Sequence, residues 1–199
     1  MLRRIHRTSA VVLLFFVTAH LANHLCALGG VTRHIAVMES LRPIYRNVAG
    51  EFILIVAALS QIATGLILVW RGRNMRRGFL AKLQAYSGIY LALFLLQHIS
   101  AVFFGRLSQS LDTNFYFAAA VLQGGPHQYY FFPYYFLGVF ALFAHLGVAL
   151  NYRLQYPLAR YSVVAVFLGI GLICALLILL AFGGALYEVR LPPVYVIGR

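Results

Sequence analysis

The sequence predicts an all-α membrane protein with five transmembrane helices. Four form an up-down-up-down bundle built from a duplicated helical hairpin, and one peripheral helix follows. Three observations predict this. Of 199 residues, 62% are hydrophobic and 10% charged, against about half and about a quarter in soluble domains. Five stretches free of Asp, Glu, Lys and Arg are each long enough for a hydrocarbon core, which takes about 20 residues at 1.5 Å per residue. The first and third stretches carry the same polar residues at the same spacing.

The first stretch, Thr8 to Thr32, predicts a helix over about 8–30. It is too long for a removable signal peptide and lacks a small-residue cleavage pattern. Phe52 to Trp70 predicts the second helix (51–70), and Leu83 to Gly105 the third (84–105). Phe131 to Tyr152 gives the fourth (132–152) and Tyr161 to Tyr187 the fifth (161–184). In lipid every backbone polar group needs a partner within the segment or a closed barrel, and runs without period-two alternation are helices. Two connections, 33–50 and 106–130, are long. The second, with Phe115, Tyr116, Tyr129 and Tyr130, reads either as a lid flat on the surface or as an ordinary interfacial loop.

Sixteen Lys and Arg against four Asp and Glu give a net charge of +12, and a basic chain ordinarily suggests nucleic acid. Here the cations fall between the apolar runs and at the ends of the chain, as topology charges do, so nucleic acid is not expected as a partner. Ten basic residues, including Arg3, Arg4, Arg7, Arg71 to Lys82, Arg153 and Arg160, share one side. Six, Arg33, Arg42, Arg46, Arg106, Arg190 and Arg199, share the other. The positive-inside rule then places the N-terminus in the cytoplasm or matrix. The expected location is a bacterial cytoplasmic (inner) membrane or the mitochondrial inner membrane, with membrane lipid around the chain. Cys26 and Cys174 sit in separate apolar runs, which excludes a disulfide framework. No CxxCH is present for covalent haem, no Gly-rich dinucleotide fingerprint for flavin and no Cys cluster for iron–sulfur.

In the first helix Ser9-Ala10 precedes His20, and in the third Ser87-Gly88 precedes His98, each Ser eleven residues before its His. Leu13 matches Leu91 and Phe16 matches Phe94. Eleven residues is close to three turns, so Ser and His share a face in each helix. In the second and fourth helices Gln61 falls near the place of His145. Parallel, diagonal helices about 11–14 Å apart, given neighbours at 8–10 Å, would bring His20 and His98 inward at one depth. That geometry suits two imidazoles on the iron of a b-type haem. His24, one turn beyond His20, is the rival ligand. Gly138, Ala141 and Ala149 near the His145 face would admit a flat macrocycle or a close helix contact. A second, bis-histidine haem is disfavoured by Gln61, while five-coordinate haem at His145 or a Gln61–His145 pocket stays open. The plainer reading is that each intramembrane His hydrogen-bonds across helices for about 0.6 kcal/mol. His6, His34 and His127 lie outside the spans and are expected to be solvated. Arg106, Arg42 and Arg46 are candidates to hold the haem carboxylates.

Ile5-His6-Arg7-Thr8-Ser9-Ala10 resembles the His-Arg-x-[Ser/Thr]-Gly opening of the first membrane helix in the cytochrome b anchor subunits of succinate dehydrogenase and fumarate reductase. Tyr86-Ser87-Gly88 with His98 resembles a second copy. Five helices in one chain are similar to the fused diheme fumarate reductase anchors and to a family of fungal mitochondrial membrane proteins, and the similarity covers roughly the first four helices. The resemblance implies haem b between bundle helices, with His20, His98 and His145 as candidates, and a quinone site near the membrane surface that includes Arg7. Gln61 and Ala10 depart from that pattern, and one haem rather than two is implied. Ser9 and Ser87, with Arg71 to Lys82 nearby, would offer quinone hydrogen bonds and positive charge; alternatively Arg7 is only a topology charge.

The function expected is therefore a membrane b-type cytochrome, a non-catalytic electron-transfer and quinone-interacting subunit of a respiratory oxidoreductase complex with partner subunits. The alternative is a structural or assembly subunit without redox activity. A small transporter is disfavoured, since no acidic residue lies deep in a span.

Overall fold

A computed structural model describes residues 1–123, 125–154 and 160–196. Arg199 and the side chain of Arg160 lie outside the described residues. Among the described residues there are seven α-helices: α1 Leu2–Cys26, α2 Val31–Tyr45, α3 Val48–Arg71, α4 Phe79–Leu107, α5 Phe115–Ala120, α6 Gln128–Asn151 and α7 Arg160–Phe182. Five of them, α1, α3, α4, α6 and α7, are long and apolar enough to cross a membrane, at the places the apolar runs predict. The chain is thus a multi-pass membrane protein whose outward apolar faces suit lipid. Several helices extend past the charge-free runs: α1 begins at Leu2 and so includes Arg3, Arg4 and Arg7. Helical hydrogen bonding continues into the aqueous boundary, where charge is tolerated.

Local chemistry sets the ends. Asn47 caps α3 by accepting from the Gly50 amide at 2.9 Å, and Glu51 follows in the first turn, where it favours the helix dipole. Gly30 (φ 100°) and Gly78 (φ 80°) turn the chain into α2 and α4 through left-handed backbone that favours glycine.

Neighbours follow chain order: α1 packs on α3, α3 on α4, and α4 on α6. The pairings His6 with Thr64, Arg106 with Glu51, and Ser87 with His145 make each step antiparallel, since each joins the start of one helix to the end of the next. The up-down-up-down order is therefore observed. α7 corrects the expectation of a peripheral helix. It has the most extensive packing in the chain, against α6, and also touches α1 and the Ala27–Gly29 turn, so it stands between α6 and α1 as a wall. The α6–α7 contact is a reciprocal lock: a Cβ added at Gly147 would stand 2.7 Å from Phe167 Cβ, and one at Gly171 would stand 2.7 Å from Phe143 Cβ. Each helix seats the other's phenylalanine on a glycine, a close approach of the kind small residues permit in lipid.

The end bearing α2 is closed over. The described part of the second long connection packs inward against the helices rather than lying flat as a lid. Phe115, Ala119 and Leu122 are buried in one cluster with Ala27, Ile178, Leu179, Ala181 and Phe182. Asp112 ties this layer to α2, accepting from Arg42 at 2.5 Å and Arg46 at 3.2 Å, and Tyr195 Oη donates to its carbonyl at 2.8 Å. The opposite, basic end carries the N-terminus and the α3–α4 connection.

Candidate functional site

His20 on α1 and His98 on α4 meet inside the bundle with ring centroids 6.1 Å apart, although their helices are diagonal rather than neighbouring. The internal repeat extends to their surroundings. Phe16, one turn before His20, stacks on it at 5.3 Å and 22°, and Phe94, one turn before His98, stacks at 5.4 Å and 10°. An i, i+4 pair lies on one face of a helix, so each phenylalanine backs the imidazole of its own helix. Phe94 also fills the space above Gly138, where a Cβ would collide with its ring. The small-residue stripe of α6 thus admits an aromatic side chain.

A chain of imidazoles leads from His20 toward α2. Asn23 Nδ2 donates to His34 Nε2 at 3.2 Å, which makes that nitrogen an acceptor and gives His24 Nδ1 the proton for the 3.3 Å contact to the same atom. His24 Nε2 then accepts from His20 Nε2 at 3.0 Å. His34, expected in solvent, is 2% exposed. It is packed against Phe115 and Phe182 at 5.4 and 5.3 Å, because α2 folds back over the bundle. Burial lowers its pKa to about 4. His34 Nδ1 and Asn23 Oδ1 are buried without a partner. Among the described residues no three His, Cys, Asp or Glu side chains are arranged to hold a bare metal ion.

At the basic end the two hairpins carry the same polar cluster with two residue types exchanged. In the first, Gln61 Nε2 donates to His6 Nε2 at 3.3 Å, His6 Nδ1 donates to Thr64 Oγ1 at 2.9 Å, and Ser9 Oγ donates to Gln61 Oε1 at 2.7 Å. In the second, Gln84 Nε2 donates to His145 Nε2 at 3.0 Å and His145 Nδ1 donates to Ser87 Oγ at 3.2 Å. His6 and Gln84 occupy equivalent positions in the repeat, as do Gln61 and His145. His6 is therefore half-buried and bonded rather than solvated, and Gln61 and His145 stand in separate hairpins rather than lining one pocket. His127, the third histidine expected in water, lies 3.3 Å from the Ala120 carbonyl.

The remaining candidates are arginines. Arg106 pairs with Glu51, and Arg42 pairs with Glu39 as well as Asp112, so the chain itself supplies carboxylates to the three residues expected to hold those of a haem. Arg7 is exposed at the basic end.

The donor set fits a bis-imidazole iron group. Metal–imidazole bonds of about 2.0–2.1 Å put two ring centres about 6 Å apart across a metal, close to the separation of His20 and His98. The cleft beside His20, walled by Phe16, Ala19, Asn23, Leu41 and Tyr45, has a cavity volume of about 20 Å³, far below the ~300 Å³ at which ordinary ligand pockets begin. Seating a macrocycle there requires these side chains to part. His34, His6 and Asn23 are the site residues that the sequence reading left out; Asn23 is flanked on α1 by histidines at one and three residues' distance, which was the available signal. Comparison with known protein families, curated proteins and solved structures returns no match for this chain.

Proposed function

We propose that the chain is a membrane b-type cytochrome: an electron-transfer subunit that exchanges electrons with quinone inside a larger respiratory assembly, in a bacterial cytoplasmic or mitochondrial inner membrane with its basic end inward. The observation that carries this reading is the convergence of the repeat-related His20 and His98, each stacked on its own phenylalanine. When bound, the haem supplies a reversible one-electron couple. The residues would hold it and keep water away: His20 and His98 would supply its imidazole ligands, Phe16 and Phe94 would orient those rings, and α5 with Phe182 covers the α2 end. Neutral imidazoles suit this depth, where an unpaired charge is expensive.

One haem is the number supported. His145 has both ring nitrogens engaged by Gln84 and Ser87, which leaves it no lone pair for a second iron. At the basic end Arg7, Ser9 and Ser87 would serve quinone. The second reading, a structural or assembly subunit, is favoured by the His20–His24 hydrogen bond, since it satisfies the imidazole without iron. Dithionite reduction of the purified chain, followed by a pyridine haemochrome assay, separates the two. One b-type haem per chain supports the cytochrome, and a folded, colourless protein from haem-supplied cells supports the structural reading.

A further inference from the structure

We propose that the basic end of the molecule binds the anionic phospholipid headgroups of the leaflet it faces. The reason is a charge imbalance between the two ends. All four carboxylates of the sequence, Glu39, Glu51, Asp112 and Glu188, lie at the α2 end. Each is paired there, with Arg42, Arg106, Arg42 together with Arg46, and Arg190 respectively. The basic end has cations on three separate elements, at the start of α1, through Arg71 to Lys82, and at Arg153 beyond α6. No Asp or Glu side chain is there to neutralise them, so we infer that the counter-charge comes from outside the chain.

Two features favour lipid over an acidic protein. The α3–α4 connection mixes cations with exposed apolar side chains: Trp70 is 64% exposed, Met75 77% and Phe79 66%. This combination belongs at headgroup depth, where an amphipathic ring meets both acyl chain and phosphate. The cations are also held at that depth. Arg73 lies 4.4 Å over the Trp70 ring and donates to the Trp70 carbonyl at 3.0 Å, and Arg76 donates to the Val69 carbonyl at 2.7 Å. Both guanidinium groups sit at the C-terminal carbonyls of α3, where the helix dipole favours a cation. Donors left over on the guanidinium fork match phosphate oxygens. This inference is independent of whether the chain carries haem.

The test uses the full-length chain in nanodiscs of phosphatidylcholine with graded phosphatidylglycerol. After detergent extraction, the ratio of the two lipids retained on the protein is read by mass spectrometry. Phosphatidylglycerol should be enriched over its bulk fraction, and the enrichment should fall with added salt. The Arg73→Gln/Arg76→Gln/Arg77→Gln variant should retain it about fivefold or more less well. Arg33→Gln, at the other end, should leave it unchanged. Should the triple variant fail to fold by circular dichroism, Arg3→Gln/Arg4→Gln carries the same expectation. No enrichment in the wild type, or equal enrichment in the variants, overturns the proposal. Absent lipid enrichment together with salt-sensitive binding of a polyglutamate peptide also overturns it and assigns this end to an acidic protein.

Discussion

Gln84 Nε2 reaches His145 Nε2 at 3.0 Å, and in the other hairpin the same bond runs from Gln61 to His6 with the two residue types on opposite helices. Both hairpins thus keep one amide and one imidazole across a shared contact. In each copy the imidazole also lies over a glycine of the partner helix, His145 over Gly88 and His6 over Gly65.

The exchange is directly testable. Gln84→Leu or His145→Leu each leave a buried polar group without its partner, a loss of about 1–3 kcal/mol in water and about 0.6 kcal/mol on average between membrane helices. The double variant Gln84→His/His145→Gln reproduces the arrangement of the first hairpin and should recover most of the thermal midpoint in detergent. A double variant less stable than either Leu variant would contradict the duplicated cluster.

The α6–α7 lock predicts that Gly171→Leu and Gly147→Leu each destabilise the chain by about 1–3 kcal/mol, the usual cost of overfilling a packed contact. Phe143 Cβ and Phe167 Cβ sit too close for an added side chain. Gly169, which has no heavy atom within 4 Å of an added Cβ, is the control and should tolerate Ala in the same thermal melts.

Much of this was legible in the sequence. The five spans were, because hydrocarbon thickness imposes a length that composition records. The meeting of His20 and His98 was, because the repeat places them at one depth. His34 was hidden: it sits between Arg33 and Glu39 in a segment too polar to read as membrane, and only the fold of α2 against Phe115 and Phe182 buries it. His6 was hidden by three neighbouring arginines. The wall formed by α7 depends on glycines whose value lies in what they let approach, and a single sequence does not display that.

His34 sets a pH dependence. Its folded pKa of about 4 lies below the 6.5 of an unperturbed histidine because burial disfavours the charged form. Between those values the unfolded chain binds the extra proton, so stability is fully present above pH 6.5 and is lost as pH falls toward 4. Thermal midpoints from pH 7 to 4.5 should fall more steeply for wild type than for His34→Gln. At Asp112 burial acts to raise the carboxyl, but the hydrogen bonds and charges of Arg42 and Arg46 prevail and hold it below its ordinary value. Its contribution is present above the unfolded pKa and is lost at lower pH than that of His34. Arg42→Gln should remove part of this acid-side loss, and an unchanged acid-side profile would contradict the pairing.

If His20 and His98 together ligate one haem, the reduced-minus-oxidised absorption spectrum loses its sharp low-spin α band in His98→Ala and equally in His20→Ala, and keeps it nearly intact in His24→Ala. A normal low-spin spectrum from His98→Ala would contradict it.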